Sequence, residues 1–69
     1  MNLQIDARET KIRMARLGIT QNELAEKANV SRPTLSYAMN GKRISAAIIG
    51  RISAALGCDP SEIVTEKGG

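Results

Sequence analysis

The residues best equipped for chemistry lie in one run, Ser31-Arg32-Pro33-Thr34-Leu35-Ser36-Tyr37-Ala38-Met39-Asn40-Gly41-Lys42-Arg43. It holds a planar guanidinium at Arg32, hydroxyls at Ser31, Thr34, Ser36 and Tyr37, and a closing pair of cations at Lys42 and Arg43. These groups donate hydrogen bonds, and Arg32, Lys42 and Arg43 also carry positive charge. Spacing sorts them. Leu35, Ala38 and Met39 fall at i, i+3 and i+4, the apolar stripe of a helix. Arg32, Pro33, Ser36, Tyr37 and Asn40 then take the outer side, so one face is core and the other is free to read a partner.

Charge points the same way. From Lys27 to Cys58 the chain carries five basic residues (Lys27, Arg32, Lys42, Arg43 and Arg51) and no acid. The acids Asp6, Glu9, Glu23, Glu26, Asp59, Glu62 and Glu66 lie to either side. A net charge of +3 with a pI near 9.5 is only modestly basic. The acid-free stretch nonetheless predicts a face that meets polyanions, with an ordinary solvated charge distribution as the alternative.

Composition removes other chemistries. The chain has no histidine and a single cysteine, Cys58. That excludes an intrachain disulfide, the common zinc sites and the Ser-His or Cys-His catalytic pairs. No metal, cofactor or catalytic residue is expected, and an enzyme is not the expectation. One cysteine fits a reducing compartment, hence the cytoplasm. No apolar run approaches the ~20 residues that span a bilayer. The opening MNLQIDARETK lacks the basic-then-apolar order of a signal peptide. The expectation is a cytoplasmic protein with no membrane partner and no small-molecule ligand.

The 69 residues suit one small domain spanning 1–69. A chain of that size buries roughly 60% of its unfolded surface. Ala, Leu, Ile, Glu, Lys and Arg dominate with little β-type alternation, so the fold class read from the sequence is all-α, with five short helices. The first runs from about Asp6, a cap followed three residues later by Glu9, to Leu17, with Ala7, Thr10, Met14 and Leu17 as its stripe and Gly18 as its end. Leu3 and Ile5 precede it as an arm or staple. Thr20 and Glu23 form a capping box for the second helix, Gln21 to Ala28, and Asn29 suits a left-handed end. Ser31 caps the third helix, and Pro33 falls in its first turn, where a missing N–H costs nothing. The fourth runs from about Ser45 to Leu56 on Ile48, Ile49, Ile52, Ala55 and Leu56, with Gly50 inside it and Gly57 after it. Asp59-Pro60-Ser61-Glu62 starts a short fifth helix from which Ile63 and Val64 pack back, and 65–69 is a frayed tail. Only Asn29, Val30 and Ser31 join the second and third helices, which is helix-turn-helix spacing over about 20–40.

With those residues in place the chain resembles the Cro/phage-repressor (XRE-type) helix-turn-helix DNA-binding domains. The resemblance rests on Gly18-Ile19-Thr20-Gln21-Asn22-Glu23-Leu24-Ala25-Glu26-Lys27, Val30-Ser31-Arg32-Pro33-Thr34-Leu35-Ser36, Asn40-Gly41-Lys42-Arg43, Ala54-Ala55-Leu56-Gly57 and Ser61-Glu62-Ile63. It covers about residues 10 to 64. It implies a compact five-helix bundle of the lambda-repressor-like type, with the third helix in the DNA major groove and the second across the backbone. There are departures. Asn29 stands where many members have Gly. Met14 and Met39 stand where phage repressors often pair Arg with Glu, an ionic contact replaced by an apolar one. Gly50 is unusual inside the fourth helix.

The resemblance also gives roles. Arg32, Pro33, Ser36 and Tyr37 are the expected base readers: Arg32 as a bidentate partner of guanine, Pro33 against a thymine methyl, and Ser36 and Tyr37 one turn on. The alternatives are a phosphate contact for Arg32, helix initiation alone for Pro33, and partial packing for Tyr37. Gln21, Ser31, Thr34, Asn40, Lys42 and Arg43 are the expected phosphate contacts, Gln21 at a helix N-terminus and Ser31 as a cap first. Arg13, Arg16 and Arg51 are expected to be solvated. The implied function is a transcriptional regulator of repressor form, binding double-stranded operator DNA as a homodimer, with the dimer face near Ile44, Cys58, Ile63 and Val64. A protein-interaction module, such as an antitoxin, is the rival reading.

Overall fold

Asp6, Thr20, Ser31 and Ser45 each turn an oxygen onto the N–H three residues ahead, and a helix follows each. A computed structural model describes residues 2–65 of the chain. The helices are α1 (Ala7–Leu17), α2 (Gln21–Ala28), α3 (Arg32–Met39) and α4 (Ala46–Leu56). The predicted bounds hold to within a residue or so at each end. At α2 the capping box closes in both directions: Glu23 N–H donates to Thr20 Oγ1 at 3.1 Å, and Thr20 N–H donates to Glu23 Oε1 at 2.8 Å. Asn29 ends α2 in the left-handed region, φ 58°, the conformation its short polar side chain tolerates.

The five-helix, all-α expectation needs correcting. The fifth helix is a single 3-10 turn, Pro60–Glu62, and three short strands form a sheet: β1 (Asn2–Ile5), β2 (Arg43–Ser45) and β3 (Val64–Thr65). The sheet is antiparallel in the order β2-β1-β3, with Leu3 opposite Ile44 and Ile5 opposite Val64. The turn cannot lengthen because the β-branched run Ile63-Val64-Thr65 prefers extended backbone and finds a partner in β1. Leu3 and Ile5 therefore belong to a central strand. Thr65, assigned to the frayed tail, lies in β3 opposite Gln4; the rest of that tail lies outside the described residues.

The core is one cluster of Ile5, Met14, Leu24, Ala25, Ala28, Leu35, Ala38, Met39, Ile44, Ile49, Ile52, Leu56 and Ile63. It takes a residue from every helix and from the sheet. Met14 and Met39 are both buried in it, as an apolar replacement for an ion pair requires. Two details differ from the stripes read in the sequence. Leu17 is 50% exposed, and Ile48 is half-buried while its neighbour Ile49 is buried. Among the described residues no helix is long and apolar enough to cross a membrane.

Candidate nucleic-acid interface

Packing decides which side of α3 is free. Leu35, Ala38 and Met39 are buried against the core, and Arg32, Pro33, Ser36 and Tyr37 stand on the exposed side. Tyr37 is 53% exposed, so it is not a core tyrosine. The start of α3 faces the start of α2. Gln21, Asn22, Arg32, Pro33, Leu35 and Ser36 together line an open cleft between them. The four expected base readers thus share one helix face, and Gln21 lies beside three of them. Tyr37 extends that face but does not line the cleft.

Local hydrogen bonds sort the remaining polar groups. Ser31 Oγ accepts the Thr34 N–H at 3.2 Å and donates to Thr34 Oγ1 at 2.7 Å. Its proton is committed to the cap, so the free hydroxyl proton of the pair belongs to Thr34. Gln21 and Asn22 are the first residues of α2, and first-turn amides have no acceptor within their own helix. Their outward dipole favours an anion. At the far end of α3, Asn40 is its C-cap, and its N–H donates to Ser36 O at 3.0 Å. Lys42 and Arg43 follow, both exposed, with Arg43 opening β2. The phosphate candidates therefore fall in two groups: Gln21, Ser31 and Thr34 at the helix starts, and Asn40, Lys42 and Arg43 after α3.

Charge around this face is unbalanced. Among the described residues the ion pairs are Arg13 with Glu9 and Arg13 with Glu62, each at 3.0 Å, and none involves Arg32, Lys42 or Arg43. Burial alone would lower the Arg13 pKa, but Glu62 and then Glu9 outweigh it and hold the guanidinium above its ordinary value. Arg13 is thus a structural bridge from α1 to the 3-10 turn, not the solvated side chain expected. Arg51 is exposed, as expected, and its Nη1 also donates to the Asn29 carbonyl at 3.3 Å, bracing the turn between α2 and α3 from α4. The Cys58 thiol is pushed up by burial, with Arg13 pulling the other way.

Asn22 is a cleft residue that the sequence reading passed over; its place beside Gln21 at the start of a capped helix was the available signal. The suggested dimer face near Ile44 and Ile63 is also corrected. Ile44 lies in β2 and Ile63 follows the 3-10 turn, and both are buried in the protein's own core. Cys58 and Val64 are only partly buried and pack on that core.

A helix-turn-helix family model matches residues 11–63. In structure the chain is similar to the DNA-binding domain of the P22 C2 repressor, residues 1–76, determined by nuclear magnetic resonance in solution. The TM-score is 0.71 at 26% sequence identity, covering 88% of this chain and 82% of that one. No curated protein sequence matches the chain.

Proposed function

The chain belongs to the helix-turn-helix family of Cro/C1 type, and on that premise we propose that it is a sequence-specific DNA-binding transcriptional regulator. It acts as a repressor by occupying an operator. The observation that carries this reading is the exposed face of α3, with Arg32, Pro33, Ser36 and Tyr37 outward and Gln21 beside it across the cleft. In the major groove an Arg32 fork fits guanine O6 and N7, a pairing worth about 1–3 kcal/mol of discrimination. Ser36 and Tyr37 extend readout along the groove. Gln21, Thr34, Lys42 and Arg43 meet phosphates, with Ser31 and Asn40 holding the ends of the recognition helix that aim them.

A helix of eight residues reads only a few base pairs. Useful specificity then calls for two copies on a near-palindromic site, with half-sites about 10 bp apart or a multiple of that. Selection of bound sequences from a random duplex library near physiological salt tests the proposal. A recovered motif with two-fold symmetry supports an operator-binding dimer. An asymmetric motif removes the dimer and keeps the reader. No motif, with weak binding to every duplex, overturns the proposal and makes a protein partner the target.

A further inference from the structure

We infer that Gln4, on the central strand, is a positioning residue for nucleic-acid backbone binding: its side-chain amide holds the Gly41 carbonyl and so fixes where Lys42 stands. The inference rests on the DNA reading above.

The loop after α3 is anchored locally through its N–H groups. Asn40 N–H donates to Ser36 O at 3.0 Å, Gly41 N–H to Ala38 O at 3.1 Å and Lys42 N–H to Tyr37 O at 3.4 Å. A carbonyl in the loop beyond a helix end has no partner within that helix and needs a donor from elsewhere. For Gly41 it comes from 37 positions away in sequence, where Gln4 Nε2 donates to the carbonyl. One step further along, Arg43 Nη1 donates to the Asn2 carbonyl at 3.5 Å, and Gln4 pairs with Arg43 in the strand register. β1 therefore grips the loop on both sides of Lys42, whose own side chain is exposed and enters no ion pair among the described residues.

Strand alternation explains why a glutamine stands there. Leu3 and Ile5 turn toward the core, so Gln4 takes the opposite face. An amide on that face adds nothing to the core; its work is the bond to the loop. Gly41 itself sits at φ 81°, a conformation that favours glycine, while a Cβ there would meet Gln4 Nε2 only at an ordinary 3.9 Å. Backbone conformation, not space, is the demand at that position. A loop held this way presents its cations already placed, so binding does not have to order them first.

The test uses the whole chain and four proteins: wild type, Gln4→Met, Lys42→Ala and the double variant. Methionine keeps the length of glutamine and removes the donor without adding charge. Binding to the selected duplex and to a random-sequence duplex is titrated over a salt series. Gln4→Met should weaken both by the same factor, about threefold to tenfold, and lower the log K against log salt slope by about one. In the Lys42→Ala background the same change should have an effect of less than about twofold. A full effect in that background, or a wild-type slope in Gln4→Met, overturns the inference. A purely structural Gln4 would lower the melting temperature and leave slope and coupling alone. Should Gln4→Met not fold, Gln4→Asn, one methylene too short to reach the carbonyl, carries the same series. Wild type with no salt-dependent DNA binding would instead overturn the DNA reading itself, so the two failures are distinct.

Discussion

Gly50 lies in the middle of α4, where a glycine destabilises the helix, and the structure gives no reason for it. Its φ is not in the left-handed region, and a Cβ built on it meets nothing within 4 Å outside its own helix. Replacing Gly50 with Ala therefore brings the helix-propensity gain without a steric cost. That gain is about 0.8–1.0 kcal/mol, part of it from a less flexible unfolded chain. In a domain of this size about 1 kcal/mol moves the melting temperature by roughly 4–8 °C. The Ser53 hydroxyl donates to the Gly50 carbonyl at 3.0 Å, a bond to backbone that alanine leaves in place. Circular dichroism melts of wild type and Gly50→Ala, at equal concentration, measure the shift. A melting temperature that stays put or falls would refute the reasoning, because it would mean that α4 needs glycine for something beyond its own backbone.

Other outcomes follow from the site and the core. Arg32→Ala should relax base preference in one half-site position while leaving binding to random duplex nearly unchanged; equal losses on both, by titration, remove Arg32 from the base readers. Lys42→Ala should weaken all duplexes alike and lower the salt slope by about one. Leu35 is fully buried, so Leu35→Ala should cost about 2–5 kcal/mol, enough to leave much of so small a domain unfolded in a denaturant titration. Asp59 accepts from the Ser61 hydroxyl and N–H, which hold its carboxyl below its usual range. Its contribution is therefore present above the unfolded pKa of about 3.9 and is lost as pH falls through the lower folded value. Asp59→Asn should flatten that acid limb of the stability curve, measured by melts between about pH 2 and 5.

The sequence reading succeeded where the deciding signal is local. A cap and its partner lie three residues apart, so Thr20 with Glu23 and Ser31 with Thr34 were visible as spacing. The same holds for the outward face of α3, set by Leu35, Ala38 and Met39. It failed where the partner is remote. β1, β2 and β3 span 4, 3 and 2 residues, too short for alternation to stand out, and α1, α2 and α3 separate Leu3 from Ile44 along the chain. Ile44 was placed at a dimer face because the strand it pairs with precedes α1. Arg13 looked solvated because Glu62 approaches it through the fold and not along the chain.

The pairing of β1 has a consequence for synthesis on the ribosome. Asn2–Ile5 emerges before its partners, residues 43–45 and 64–65, and the Asp6 N–H finds its acceptor at Ile63. Through most of translation this strand has nothing to join. Closure of the sheet waits for the last residues of the domain, and with the β1–β2 half comes the clasp on the recognition-helix loop. A nascent chain stalled before Ile44 should therefore lack the strand pairing that steadies the cations after α3.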